Sequence, residues 1–246
     1  MKKMRISGLG LLATIALAGC SDANAPNTDD ALDADVAMVA ADAVLEDLQA
    51  MNSGIGGFGS SPAMFSAAPP TERSRAVTFF DADGNAQDAY DAELTASINV
   101  VIDMSGEVTR DTWTATIERH RDMVITGLLG DETSRTWNGT GSGSVQGSRH
   151  SDESGDRSYN MSSTSVITDV VRGLPRADNP YPLSGTITRD ISITIVNGPN
   201  GDETRTRTVV ITFNGTQFAT LTINGETVEV DLAAREGRHP IRGRGR

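Results

Sequence analysis

The chain has one cysteine, Cys20, in 246 residues. No intramolecular disulfide can form, and no CxxC metal site exists. Lysine is confined to Lys2 and Lys3. Aromatic residues make up only 4% of the chain, so any core must be built from Val, Ile, Leu and Ala. Histidine occurs three times, at 120, 150 and 239, always among polar or charged neighbours. Positive charge is also scarce. The net charge is −12, which disfavours a general nucleic-acid binder, because phosphate recognition needs a basic face. No apolar run reaches the twenty or so residues of a membrane-spanning helix. What remains is rich in Thr, Ser, Gly, Asp and aliphatic residues.

The N-terminus carries its own pattern. Lys2, Lys3 and Arg5 form a positive segment, and Ile6 to Leu17 a short apolar one, followed by Leu17-Ala18-Gly19-Cys20. This resembles the lipobox of bacterial lipoproteins, whose signal peptide is cut before a cysteine that is then lipidated. The resemblance implies a signal peptide over 1–19, lipidation of Cys20, and a mature chain held at the membrane of the cell envelope. More than one acyl chain makes such an anchor durable. Ser21 directly after the cysteine implies outer-membrane delivery in that family's sorting pattern.

Residues 21–50 carry eight acids and no base. Residues 20–29 read as a flexible tether. From Asp29 the apolar residues Leu32, Val36, Val39, Ala43, Leu45 and Leu48 recur every three or four positions. That spacing predicts an amphipathic helix over 30–52 with one face on a sheet. Residues 53–75 are Gly-, Ser- and Pro-rich and read as a linker, with Phe58, Met64 and Phe65 exposed in it.

The stretch 76–234 has β texture. Candidate strands are 76–80, 93–103, 107–119, 121–128, 133–138, 143–148, 157–171, 184–196, 204–214, 217–223 and 226–232. Hairpin turns are expected at Asp83-Gly84, Asn138-Gly139, Asn214-Gly215 and Asn224-Gly225. In 185–196, Ile187, Ile191, Ile193 and Ile195 share one face against Thr188, Asp190, Ser192 and Thr194. The expected fold is mainly β: a long antiparallel meander forming a curved sheet or half-barrel, with the helix packed on its dry face. Two blocks look repeated in order. GEVTRDTWTATI (106–117) resembles GTITRDISITI (185–195), and GDETSRTWNGT (130–140) resembles the segment 201–216.

Chemistry is sparse. Asp81, Asp83, Asn85 and Asp88 space oxygen ligands in a way that suits calcium, but glycine falls at the fourth position of the loop and Ala92 at the twelfth, so no EF-hand forms. An Asp-Gly turn is the competing reading. Otherwise no cofactor is expected. His150-Ser151-Asp152 are adjacent, whereas catalytic triads assemble from distant segments. No nucleophile elbow, HExxH, phosphate loop or dinucleotide fingerprint is present. Residues 235–246 hold Arg235, Arg238, Arg242, Arg244 and Arg246 against one acid. They read as a disordered arm, with Gly and Pro opposing regular structure, that either meets an anionic envelope lipid or polysaccharide or simply offsets the acidic body. The expected role is a membrane-anchored, non-enzymatic interaction or structural module whose partners are the membrane and an envelope protein or anionic surface. An alternative is a carrier for a lipid or apolar ligand, resembling the half-barrel folds of lipoprotein carriers in architecture only; it requires a pocket of several hundred Å³. A third is a hydrolase with a pair of carboxylates in a cleft.

Overall fold

The computed structural model describes residues 28–52, 72–110, 113–150, 156–198, 201–233 and 241–242. It has one helix, α1 (Thr28–Asn52), followed by eleven strands. These are β1 (Glu72–Phe80), β2 (Ala86–Gln87), β3 (Ser97–Arg110), β4 (Trp113–Thr126), β5 (Ser134–Arg149), β6 (Arg157–Gly173), β7 (Ser184–Gly198), β8 (Gly201–Thr212), β9 (Phe218–Ile223), β10 (Glu226–Asp231) and β11 (Ile241–Arg242). All belong to one sheet in the order β11-β10-β9-β8-β7-β6-β5-β4-β3-β1-β2. Every ladder is antiparallel. From β3 to β11 the sheet is a meander, β1 lies between β3 and β2, two-residue strands form both edges, and no ladder among the described residues joins those edges.

Six consecutive strands, β3 to β8, run for 12 to 17 residues. Strands this long accumulate twist and coil, and the sheet curls around α1. Asp35 to Leu48 are all buried. The helix shares one hydrophobic cluster with Ile98, Val100 and Ile102 of β3, Met123 and Ile125 of β4, Ile187 and Ile193 of β7, Val209 and Ile211 of β8, and Leu221 of β9. The expected helix is present, with one difference in kind. It is not an amphipathic lid with a wet side; its whole circumference is covered, acids included. β11 also touches it.

Glycine shapes the middle of the sheet. On β5, Gly139, Gly141, Gly143 and Gly147 come at alternate positions with Val145 among them, so they share one face. A Cβ on Gly139 would stand 2.3 Å from the Asp122 carbonyl oxygen, and one on Gly147 2.9 Å from Trp113 Cζ2. Side chains from neighbouring strands lie over this bare backbone.

Boundaries moved where the sequence signals compete. The segments 133–138 and 143–148 form one strand, β5, and Asn138-Gly139 lies inside it at a register shift rather than in a hairpin. The extra residue of the irregularity lies on the facing strand β6, where Thr168 and Asp169 oppose Asn138 and Asp169 has a φ of 46°. The expected strands 107–119 and 121–128 redistribute into β3 and β4, because Arg119, His120 and Arg121 continue a ladder instead of ending it. Asp83-Gly84 closes the β1–β2 hairpin, with Gly84 at φ 83°. Asn224-Gly225 has both φ values positive, 50° and 82°, as a type I′ turn needs. Asn214-Gly215 sits in the longer 213–217 loop, where Asn214 Oδ1 accepts from Thr216 N and Oγ1.

The two repeated blocks fall on non-equivalent elements. Residues 106–117 straddle the end of β3 and the start of β4, whereas 185–195 lie within β7. Thr-rich strands share composition without sharing ancestry of position. Two residues of the arm, Ile241 and Arg242, pair with Val230 and Glu229 as β11. An apolar residue directly after Pro240 adds to an open edge despite the surrounding glycines.

Candidate functional site

The most heavily organised chemistry lies between α1 and the sheet. Four carboxylates of the helix meet six arginines of the strands. Arg207 of β8 bonds Asp33, and Asn224 Nδ2 donates to the same carboxylate at 2.8 Å. Asp35 accepts from Arg149 Nη1 at 2.5 Å, Arg157 Nη2 at 3.2 Å and Tyr159 Oη at 2.5 Å. Arg119 bonds Glu46. Arg121 and Arg189 both bond Asp47, and all three side chains are at most 2% exposed. Arg176 Nη2 donates to the Met51 carbonyl at 3.0 Å, placing a cation at the C-terminal end of the helix dipole.

The strands deliver these arginines by phase. Arg119 and Arg121 alternate in step with Trp113, Ala115, Met123 and Ile125 on the buried face of β4. Arg189 takes the position between Ile187 and Ile191. Gly141 and Ser165 stand between Arg121 and Arg189 in the register. A Cβ on Gly141 would lie 2.7 Å from Arg121 Cδ and 2.8 Å from Ser165 Oγ. The small residues thus make room for guanidinium groups. Arg121 Nη1 donates to the carbonyls of His120 and Ser142 at 2.7 and 3.0 Å.

Burial by itself would raise the Asp47 carboxyl. The charges of Arg121 and Arg189, with the Arg121 hydrogen bond, outweigh it and hold Asp47 below its ordinary value. Burial lowers Arg189 to about 10 despite Asp47, and the charges of Arg121 and Arg119 push the same way. Burial first, then the Asp35 charge and hydrogen bond, raise Tyr159, so it stays a donor to Asp35. Arg172 is 2% exposed and bonds the Pro180 carbonyl at 3.1 Å; burial and the nearby Arg176 lower it to about 10. All these groups serve cohesion, and the carboxylates of the seam are neutralised by arginine rather than aimed into a cleft.

The outer face is different. Alternate positions carry Thr114, Thr116, Ser142, Ser162, Thr164, Thr188, Thr206 and Thr208, broken by Val124 and Val166. A shallow, open depression of about 800 Å³ on this face is lined by Asp103, Glu118, His120, Ser142 and Ser144. Within it His120 Nδ1 lies 2.7 Å from Asp103 Oδ1, and Ser74 Oγ donates to Asp103 Oδ2 at 3.2 Å. The His120 hydrogen bond is the main cause that lowers Asp103. Ser74 meets the carboxylate and not the imidazole, so this trio is not ordered as serine, histidine and aspartate are in a hydrolytic triad. The arrangement presents hydroxyls and carboxylates at the surface.

The residues singled out in the sequence lie apart from both places. Asp81 Oδ1 accepts from the amides of Asp83 and Asn85 at 3.0 and 2.8 Å, and Oδ2 from Asn85 Nδ2 at 2.9 Å. The Asp81 carboxylate is thus spent on closing a turn with the nitrogen donors of Asp83 and Asn85, and Asp88 lies beyond β2. Among the described residues no group of three or more His, Cys, Asp or Glu could hold a metal. His150 pairs with Asp156 at 2.5 Å in the open. Cys20, residues 53–71 of the linker with Phe58, Met64 and Phe65, and Arg235, Arg238, Arg244 and Arg246 lie outside the described residues, whereas 72–75, expected to belong to the linker, begin β1. No described helix is long and apolar enough to cross a membrane.

The buried seam was legible in one respect that the sequence reading passed over. Arg119, Arg121 and Arg189 stand in phase with aliphatic neighbours, and the acids of 33–47 precede a stretch that contains arginine and no lysine. No protein-family model, curated protein or solved structure matches this chain.

Proposed function

We propose that the protein is a membrane-anchored lipoprotein of the bacterial envelope, with the outer membrane favoured by Ser21, and that its body is a non-enzymatic interaction or structural module. The observation that carries the reading is the position of α1. The helix fills the concave side of the sheet and neutralises its arginines, so the volume that a carrier would keep for an apolar ligand is occupied by the chain itself. The surface left for function is the hydroxyl-rich outer face. The lipobox residues Leu17-Ala18-Gly19-Cys20 support the anchor.

The test is mass spectrometry of the N-terminal peptide after detergent extraction from membranes. A diacylglyceryl group on Cys20, an acylated amine, and release of the Cys20→Ala chain into the soluble fraction are expected. An unmodified Cys20 overturns the anchor. Native mass spectrometry of the body with a stoichiometric lipid bound would overturn the module reading in favour of a carrier.

A further inference from the structure

The short strands at one side of the sheet cover only part of β8. β9 pairs with Val209 to Thr212, and alongside Glu203 to Thr208 no strand among the described residues lies on that side. One bond fixes which backbone groups face the gap. Phe213 N donates to the Gly185 carbonyl, on the β7 side, at 3.0 Å. In an antiparallel ladder both backbone groups of a residue point to one neighbour, and those of the next residue to the other. The β7 ladder runs without a shift from Thr212 to Glu203. Thr204, Thr206 and Thr208 therefore turn their N–H and C=O groups to the open side. Arg207 Nη1 donates to the Thr206 carbonyl at 3.0 Å. The Thr204 N–H and C=O have no partner among the described residues.

Such an edge is a template for another strand unless its side chains forbid it. The β1 edge is protected. β2 covers only Phe79 and Phe80, but a two-fold pairing centred on Arg73, Ser74 or Arg75 sets arginine against arginine. β8 is built the other way. Glu203 and Arg205 share one face, on either side of Thr204, and their side chains are 36% and 42% exposed. We infer that the open edge of β8 pairs antiparallel with the same edge of a second copy, about a two-fold axis at Thr204. Thr204 then exchanges both backbone bonds with the second copy's Thr204. Glu203 faces the second copy's Arg205, and Arg205 its Glu203, so the edge is complementary to itself. A centre one residue away opposes two glutamates, at Glu203, or two arginines, at Arg205. Charge thus selects one register. The inference rests neither on the lipid anchor nor on the hydroxyl-rich face.

The experiment uses the mature chain with Cys20→Ala, which leaves no cysteine. Its sedimentation coefficient should rise with concentration to a dimer plateau. Glu203→Arg should weaken the dimer roughly tenfold or more, and adding Arg205→Glu should restore it, because the charges are then exchanged across the axis. Thr204→Pro removes an N–H that points to the open side, so the monomer should keep its fold and lose the dimer. Thr204→Cys should cross-link to itself on oxidation, since facing Cα atoms of a hydrogen-bonded pair lie about 5.5 Å apart, within disulfide reach. Ala76→Cys, on the β1 edge, should not. A monomer at every concentration up to about 1 mM overturns the inference. So does a dimer that survives Glu203→Arg or Thr204→Pro, one that the charge exchange does not restore, or one that cross-links through residue 76 and not 204. If a charge variant does not fold, the Thr204→Cys cross-link, made with both charges in place, decides.

Discussion

Asp47 shows how a charge can be both costly and indispensable. Removing a carboxylate from water is expensive, and two guanidiniums offset that expense only while all three remain together. Asp47→Asn leaves Arg121 and Arg189 buried with no carboxylate between them. The expected loss is about 3–5 kcal/mol in urea unfolding monitored by circular dichroism. An unchanged midpoint would show that the seam is more hydrated than its burial implies. The pH dependence has a definite sign. Asp47 is lowered in the folded state, so the stability it contributes is complete above its ordinary value of 3.8. That contribution disappears as the pH falls through the lower folded value. In the Asp47→Asn chain the acid limb of the stability curve should therefore be shallower below pH 4.

At the scale of elements, β5 decides how closely the arginines approach. Its face toward α1 is mostly backbone, and Gly141→Ala would place a methyl group against Arg121 and Ser165. The expected cost is about 1–3 kcal/mol, read from the same urea midpoint, because the neighbour is held by Asp47 and two carbonyls and cannot swing away. Elements were legible where one signal dominated. The alternation in β7 and the Asn224-Gly225 turn appear as the sequence predicts, and α1 forms where its spacing places it, with its polar side buried as well. Where two signals met, the local one lost. Asn138-Gly139 has hairpin chemistry, but the ladder with β4 runs through the pair without a break, so it stays inside β5 and β6 absorbs the irregularity at Asp169. The seam was missed for a related reason. Arginine counts as polar in a period-two pattern, and its burial depends on acids more than seventy residues away. No window of local sequence contains both partners.

For the whole molecule, α1 is the core rather than an appendage. A chain beginning at Glu72 would expose both the aliphatic lining and the arginines of the trough, and is expected to be soluble only as an unfolded or aggregated species. Adding a peptide of residues 28–52 should restore the β circular dichroism spectrum in proportion to its concentration. A chain from Glu72 that folds alone, with a cooperative melt, would show that the sheet is self-sufficient. The same arrangement bears on the time course of folding. The contacts that seat α1 join residues 73, 142 and 191 positions apart, from Arg119–Glu46 to Arg189–Asp47 to Asn224–Asp33. The helix leaves the ribosome first and meets its partners last. Topologies dominated by such distant pairings reach the native state in milliseconds to seconds rather than microseconds. During that interval the acidic stretch 21–50 carries eight like charges, which keep the waiting segment hydrated and apart from other nascent chains until the arginine-bearing strands arrive.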